Sequence, residues 1–236
     1  MKKIIVTGGT SRFAQSLKKI KSTYKIKYPL KKNFNILKYN QIFKFLKKEN
    51  PNYLIHLAGL SRPMMDHDIL ISKSIDLNII GTANIVKACE KLNIKLIYFS
   101  THHVYPGTKG NYKESSPIKP YLNYAWSKLG GECSVHMYKN SLILRLCMTE
   151  FPFIHSSAFY DVFNNFIFHK EVAKILFKIL DEKGVINIGG PKSSIYKFAK
   201  KYNNHVIKIS SKKHFKFSYP KKQDMDISKL KKILGR

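Results

Sequence analysis

The 236-residue sequence predicts an α/β fold, a doubly wound parallel sheet with a small C-terminal lobe. Three observations predict it. Short runs rich in β-branched residues alternate with stretches of helical period. These runs are apolar throughout rather than at every second residue, as strands buried on both faces are. A Gly-Gly turn joins the first run to the first helical stretch.

Residues 3–7 (Lys-Ile-Ile-Val-Thr) form the first strand, which Gly8-Gly9 turns into an amphipathic helix over 13–20. Residues 24–28 alternate weakly as a second strand. Ile42, Phe45 and Leu46 share one face of a helix over 42–48, which Asn50-Pro51 stops. A buried strand at 53–58 ends at Gly59. Residues 75–92 then carry Leu77, Ile80, Ile85, Ala88 and Leu92 at helical spacing. The strand at 95–100 delivers Thr101 into a loop rich in proline and glycine. A helix over 123–137, a strand at 142–146, a helix over 170–182, a strand at 185–188 and a short helix over 227–234 follow. Residues 147–165 show no clear period. In such sheets ligands sit beyond the C-terminal strand ends, where Gly8-Gly9, Gly59, Thr101 and Gly189-Gly190 all fall.

Composition excludes several classes. Hydrophobic residues are 44% of the chain, enough for a real core. No run approaches the roughly 20 apolar residues of a membrane-spanning helix. The apolar run at the start is too short for a signal-peptide core. Three cysteines, Cys89, Cys133 and Cys147, have no metal-ligand spacing, so we expect reduced thiols, no metal and a cytoplasmic setting. Forty-three basic residues against 14 acids give a net charge of +29. Only four are arginines (Arg12, Arg62, Arg145, Arg236), the side chain preferred for bidentate reading of phosphates and bases. Lysines spread over the whole chain, with abundant isoleucine and asparagine, fit an AT-rich coding bias better than selection for nucleic acid. Neither a specific nucleic-acid partner nor a membrane is expected.

Two stretches carry chemistry. Thr7-Gly-Gly-Thr-Ser-Arg-Phe-Ala14 follows a strand and opens a helix, as a dinucleotide-binding turn does, with small residues at Gly8, Ser11 and Ala14. Only the first of these is glycine, and a plain strand-to-helix turn fits the same segment. Tyr124 and Lys128 stand four apart on a helix face, where a lysine cation is expected to lower the phenol pKa. Four such pairs occur, about twice what chance gives with 14 tyrosines, so spacing alone does not choose among them.

Context chooses. Residues 96–107 (Leu-Ile-Tyr-Phe-Ser-Thr-His-His-Val-Tyr-Pro-Gly) bring a hydroxyl to a strand end, and Tyr124 then Lys128-Leu-Gly-Gly-Glu132 follow. With His56-Leu-Ala-Gly59, Asn78-Ile-Ile-Gly-Thr82, Asn187-Ile-Gly-Gly-Pro191 and the closing Asp226-Ile-Ser-Lys-Leu-Lys-Lys-Ile-Leu, the chain resembles the extended short-chain dehydrogenase/reductases. The likeness is greatest to nucleotide-sugar reductases of the dTDP-4-dehydrorhamnose reductase type, and the blocks occur in family order over nearly the whole chain.

The resemblance implies a Rossmann-like fold: a dinucleotide-binding domain of residues 1–146, rejoined by 166–190, and a shortened substrate lobe of 147–165 and 191–236. It implies a catalytic set in which Thr101 binds the substrate carbonyl, Tyr124 donates the proton, and Lys128 holds the nicotinamide ribose. Gly8, Ser11, Arg12 and Phe13 would line the pyrophosphate, with Ala58 and Gly59 along the cofactor. No acid follows the second strand, where NAD-preferring relatives carry one. Arg12 with Lys31 or Lys32 would meet a 2′-phosphate instead, so NADP(H) is expected ahead of NAD(H). His102 and His103, beside Thr101, are candidates for substrate contact. The implied activity is reduction of a nucleotide-linked 4-keto-6-deoxy sugar for polysaccharide synthesis, and a homodimer through the Tyr124 helix.

Two departures keep other readings open. The chain is short between Arg145 and His169, where substrate segments would lie, which fits a non-catalytic nucleotide-binding regulatory subunit on the same fold. Epimerases share the scaffold as well. A dehydratase fits less, because His102 and His103 stand where an acid is needed beside the hydroxyl.

Overall fold

The computed structural model describes residues 1–214 and 218–235. Six parallel strands form the main sheet: β1 (Lys3–Thr7), β2 (Lys25–Lys27), β3 (Tyr53–His56), β4 (Lys95–Thr101), β5 (Ser141–Leu146) and β6 (Gly184–Ile188). Their spatial order is β2-β1-β3-β4-β5-β6, so the winding reverses at β1, between β2 and β3. A ligand crevice is expected at this switch point.

Because successive strand side chains point to opposite faces, β1 feeds two cores. Ile4 and Val6 pack with Phe13 and Leu17 of α1 (Arg12–Lys18) and with later residues including Val172 and Leu176. Ile5 faces the other way, toward Ile42 and Leu46 of α2 (Tyr39–Glu49). The chain is doubly wound, as the sequence predicts.

After β3 come α3 (Asp66–Ile69) and α4 (Ile71–Ile75). A wide π turn, Asp76–Ile80, then leads into α5 (Gly81–Lys91). The sequence predicts one unbroken helix here. The π turn shifts the register of the apolar stripe, and Ile80, expected to face the core, is 46% exposed. Next come a single 3₁₀ turn at His102–Val104 and α6 (Asn123–His136). α7 (His169–Leu176) stops short of the predicted 182.

The aperiodic stretch from 147 to 165 forms short strands. Met148–Thr149 pairs with Ile167–Phe168, Ser157–Phe159 with Ile207–Ile209, and Phe163–Asn164 with Ser193–Ser194. Phe153, Ala158, Ala199 and Val206 form a small cluster apart from the main cores. One boundary needs correcting. Leu230 of the terminal helix (Ser228–Ile233) lies in the same core as Leu176 and Ile186, so the end of the chain returns to the main sheet rather than to the lobe.

Candidate active site

The switch point is held by a chain of hydrogen bonds. Thr7 Oγ1 accepts from the backbone N–H groups of Leu57 and Ala58 at 3.1 and 3.0 Å, which leaves its proton for His56 Nδ1 at 2.9 Å. His56 Nε2 then donates to Thr82 Oγ1 (3.1 Å), which donates to the Asn78 carbonyl (2.8 Å). Burial pushes His56 down to about 3, so it is a neutral strut. Gly8, with φ +66°, permits the approach: a Cβ there would lie 2.8 Å from Ala58 N.

Asn78, within the π turn, clamps the loop after β3. Its amide accepts from Leu60 N–H (2.8 Å) and donates to Leu60 C=O (2.9 Å) and to Ser127 Oγ (2.8 Å). α6 approaches this turn closely enough that a Cβ on Gly131 would lie 2.4 Å from the Asn78 carbonyl. The glycine pair after Lys128 therefore sets how deeply α6 seats Tyr124 and Lys128.

The resulting crevice, about 290 Å³, is lined by Ser11, Arg12, Phe13, Gly59, Thr101, His102, His103, Tyr124 and Lys128, among others. Gly8 and Ala58 pack against one another and are not among its lining residues. Lys31 is exposed and not part of this lining. Tyr28 instead stands over the glycine turn: a Cβ on Gly9 would lie 2.8 Å from Tyr28 Cβ. Its buried hydroxyl has no hydrogen-bond partner.

Thr101 and Tyr124 both face the crevice, and Thr101 Oγ1 accepts from the His103 N–H at 3.3 Å. Burial raises the Tyr124 phenol above its usual value, against the opposing effects of Thr101 and Arg62. This corrects the expectation that Lys128 depresses it. The ammonium of Lys128 lies 4.3 Å from the centre of the Tyr98 ring. Burial lowers Lys128 to about 7, against the pull of Glu132. The two groups thus favour a protonated phenol beside a lysine close to neutral.

His102 and His103 differ. Nδ1 of His102 donates to the Leu146 carbonyl at 3.0 Å, and its Nε2 faces Asn164 Nδ2 at 3.2 Å. Burial takes it down to about 4, and both ring nitrogens serve the protein, tying the end of β4 to the end of β5. Its ring still lines the crevice. His103 uses Nδ1 on the Tyr121 hydroxyl at 2.7 Å.

Trp126 is two residues beyond Tyr124, about 200° round the helix. It is 53% exposed and absent from the crevice lining.

Sequence reasoning missed three groups around the site, of which Arg62 and Glu150 line the crevice. Arg12 Nη1 donates to Glu150, and Arg62 Nη1 reaches both Glu150 oxygens at 3.3 and 3.2 Å. One carboxylate thus joins the glycine-turn helix, the loop after β3 and the segment after β5. Burial opposes its charge, but Arg62 and Arg12 outweigh burial and hold the carboxyl below its usual value. The third is His67, buried with its ring centre 5.1 Å from that of Tyr124 and Nδ1 on Ser74 Oγ at 2.6 Å. Scarcity was the available signal: each of the three described arginines holds a carboxylate.

Residues 1–149 match the family model described as the RmlD substrate binding domain. The chain belongs to that family. Methionine adenosyltransferase 2 subunit beta of Xenopus tropicalis is 30% identical over 116 residues, 48% of this chain and 34% of that protein. The Bos taurus protein is 24% identical over 145 residues, 57% of this chain and 42% of its own length. The RmlD-type chain thus spans less than half of these curated relatives. Among solved structures, dTDP-4-dehydrorhamnose reductase of Bacillus anthracis in complex with NADP superposes with a TM-score of 0.87 at 20% identity, covering 98% of this chain and 92% of that one. The UDP-Glc/GlcNAc 4-epimerase of Campylobacter jejuni gives 0.78 at 16%, covering 99% and 93%. At these identities the likeness is one of fold. Among the described residues no helix is long and apolar enough to cross a membrane, and no group of three or more His, Cys, Asp or Glu converges to hold a metal.

Proposed function

We propose that the chain is an NADP(H)-dependent reductase of a nucleotide-linked 4-keto-6-deoxy sugar, with NAD(H) as the weaker cofactor. The observation that carries this reading is that Thr101, Tyr124 and Lys128 converge in the lining of the switch-point crevice. NADPH supplies the hydride when bound. The protein's residues fit such a group: Ser11, Arg12 and Phe13 bring the start of α1 to the crevice, and Arg12 and Arg62 offer guanidinium donors for phosphate. No acid stands in residues 25–33 to repel a 2′-phosphate. Tyr124, held protonated, donates to the carbonyl oxygen, while Thr101 stabilises the charge that develops there. The test is titration by the cofactor's own fluorescence, NADPH against NADH, followed by a keto-sugar panel. Absence of saturable NADPH binding would sink the reading.

A second reading has a specific observation in its favour: the curated relatives are named as subunits. A nucleotide-binding regulatory subunit would bind NADPH and oxidise none of it against any keto sugar in the panel. For the homodimer we point to Ile71, Ile75, Ile80 and Trp126, exposed on α4, the π turn and α6.

Glu150 opposes ligand binding in this scheme, because an anionic dinucleotide must compete for guanidiniums already paired. Glu150→Gln is expected to tighten NADPH binding on the order of threefold to tenfold, since each partly exposed pair is worth up to about 1 kcal/mol. Unchanged or weaker binding would mean that Glu150 instead orders the arginines for the ligand.

Lys128 carries a cost. Its folded pKa of about 7 lies below the ordinary 10.5, so the unfolded chain binds more protons between these values. This group's contribution to stability therefore rises as pH increases across that window. Lys128→Met, which abolishes the burial of an ammonium, is expected to raise Tm at pH 7 by about 2–8 °C and to flatten that rise. Thermal melts from pH 6 to 10 decide it, and a lowered Tm at pH 7 would refute the idea.

A further inference from the structure

A second cavity, a groove of about 1570 Å³, shares only Phe166 with the crevice. It runs between the end of α1, α7, the helix Ile195–Lys200 and the terminal helix. Its floor is apolar, with Ile20, Ile175, Leu230 and Leu234 among its residues. Eight exposed lysines border it against a single acid, Glu171. Only Lys174, with Glu171, and Lys192, with Asp224, are in ion pairs among the described residues. The others, including Lys21, Lys178, Lys197 and Lys231, stand around an apolar trough.

We propose that this groove is the docking site for an acidic amphipathic helix of a partner protein. An apolar stripe would bury against the floor while carboxylates on its flanks meet the lysines, which is helix-in-groove recognition. Charge complementarity selects this occupant. A second copy of this chain, at +29, brings repulsion to the lysine border instead. A single-stranded nucleic acid needs several free ring faces on which successive bases stack, and here every lining ring but Tyr196 packs against another ring. Tyr24 stacks on Phe177 at 5.8 Å and 15°. Phe168 meets Tyr202 edge-on at 4.8 Å, and Phe198 packs 5.3 Å from both. The border is lysine rather than arginine, suiting carboxylates that need a point charge more than planar groups that need a fork.

The inference is independent of the reductase reading and is tested on the full chain. The probe is a fluorescein-labelled 18-residue peptide of leucine and glutamate with leucines at helical spacing. A shuffled peptide of identical composition and a labelled oligouridine serve as comparators, in about 0.15 M salt. The patterned peptide is expected to bind at least tenfold more tightly than either. The paired substitution Lys178→Glu and Lys197→Glu, both exposed, is expected to weaken it at least tenfold with Tm unchanged. Lys47→Glu, exposed on α2 across the sheet, is expected to leave binding within twofold. Equal affinity for patterned and shuffled peptides would reduce the groove to bulk charge and overturn the proposal. Tighter binding of oligouridine, or indifference to the paired substitution, would overturn it as well.

Discussion

Replacing Tyr124 by phenylalanine is expected to cut keto-sugar reduction by about 10²–10⁴-fold, the usual contribution of a positioned general acid. The reasoning rests on which proton is available. Burial holds the Tyr124 phenol above its ordinary value, so it keeps its proton throughout the neutral range. Lys128, lowered to about 7, is only partly charged there and contributes little pull on the phenol. A protonated phenol suits the reductive direction, in which a carbonyl oxygen gains a proton as hydride reaches its carbon. Phenylalanine keeps the ring that packs against His67 and removes only the hydroxyl. NADPH affinity should therefore stay within about twofold while kcat collapses, and the expected signature is a loss in kcat with KM little changed. Retained turnover would remove the phenol from the mechanism. Loss of NADPH affinity would instead assign the hydroxyl to cofactor binding.

The residues whose place at the crevice was legible in the sequence are those whose neighbours are set by chain order. Thr101 ends a strand that is apolar to its last turn, and Tyr124 with Lys128 lies on the next long helix. A parallel sheet puts both at the same edge whatever the loop between them does. Arg62 and Glu150 stood outside that logic. They are 88 positions apart, in segments without period, and meet only because the chain folds back after β5. The same applies to His102, whose two ring partners, Leu146 and Asn164, come from distant segments. Ile80 was out of reach of sequence reasoning, because a π turn inserts between two regular helices and breaks the period on which its burial was judged. The charge behaves in the same divided way. Most lysines are exposed and scattered, whereas the described arginines mark the crevice and one fully buried network.

That network gives the largest expected loss of stability. Arg145, 1% exposed on β5, donates from Nε (3.0 Å) and Nη2 (2.6 Å) to Glu132 Oε1, and Glu132 is fully buried on α6. Nη1 of Arg145 also donates to the Tyr105 hydroxyl (2.9 Å) and to the Glu114 carbonyl (3.0 Å). Tyr105 in turn donates to Asn187 Oδ1 on β6 at 2.8 Å. The pair thus fastens the loop after Thr101 to β5, β6 and α6 together. Glu132→Ala would leave a buried guanidinium without its counter-charge, which costs about 3–5 kcal/mol. Against a total of about 5–15 kcal/mol for a typical domain, that approaches unfolding. Burial works against the Glu132 charge, but hydrogen bonds from His136, Arg145 and Ser100 outweigh it and hold the carboxyl at about 2. Its contribution is therefore complete above the ordinary carboxylate value of 4.5 and is lost as pH falls toward 2. Urea melts of wild type and Glu132→Ala between pH 3 and 7 should converge as pH falls. Parallel curves would show that the loss comes from packing rather than charge. The outcome bears on the site too, because Ser100, one residue before Thr101, donates to the same carboxylate. If the pair positions the Thr101 hydroxyl, the charge-conserving Glu132→Asp should lower kcat at a temperature where the protein remains folded, with KM for NADPH unmoved.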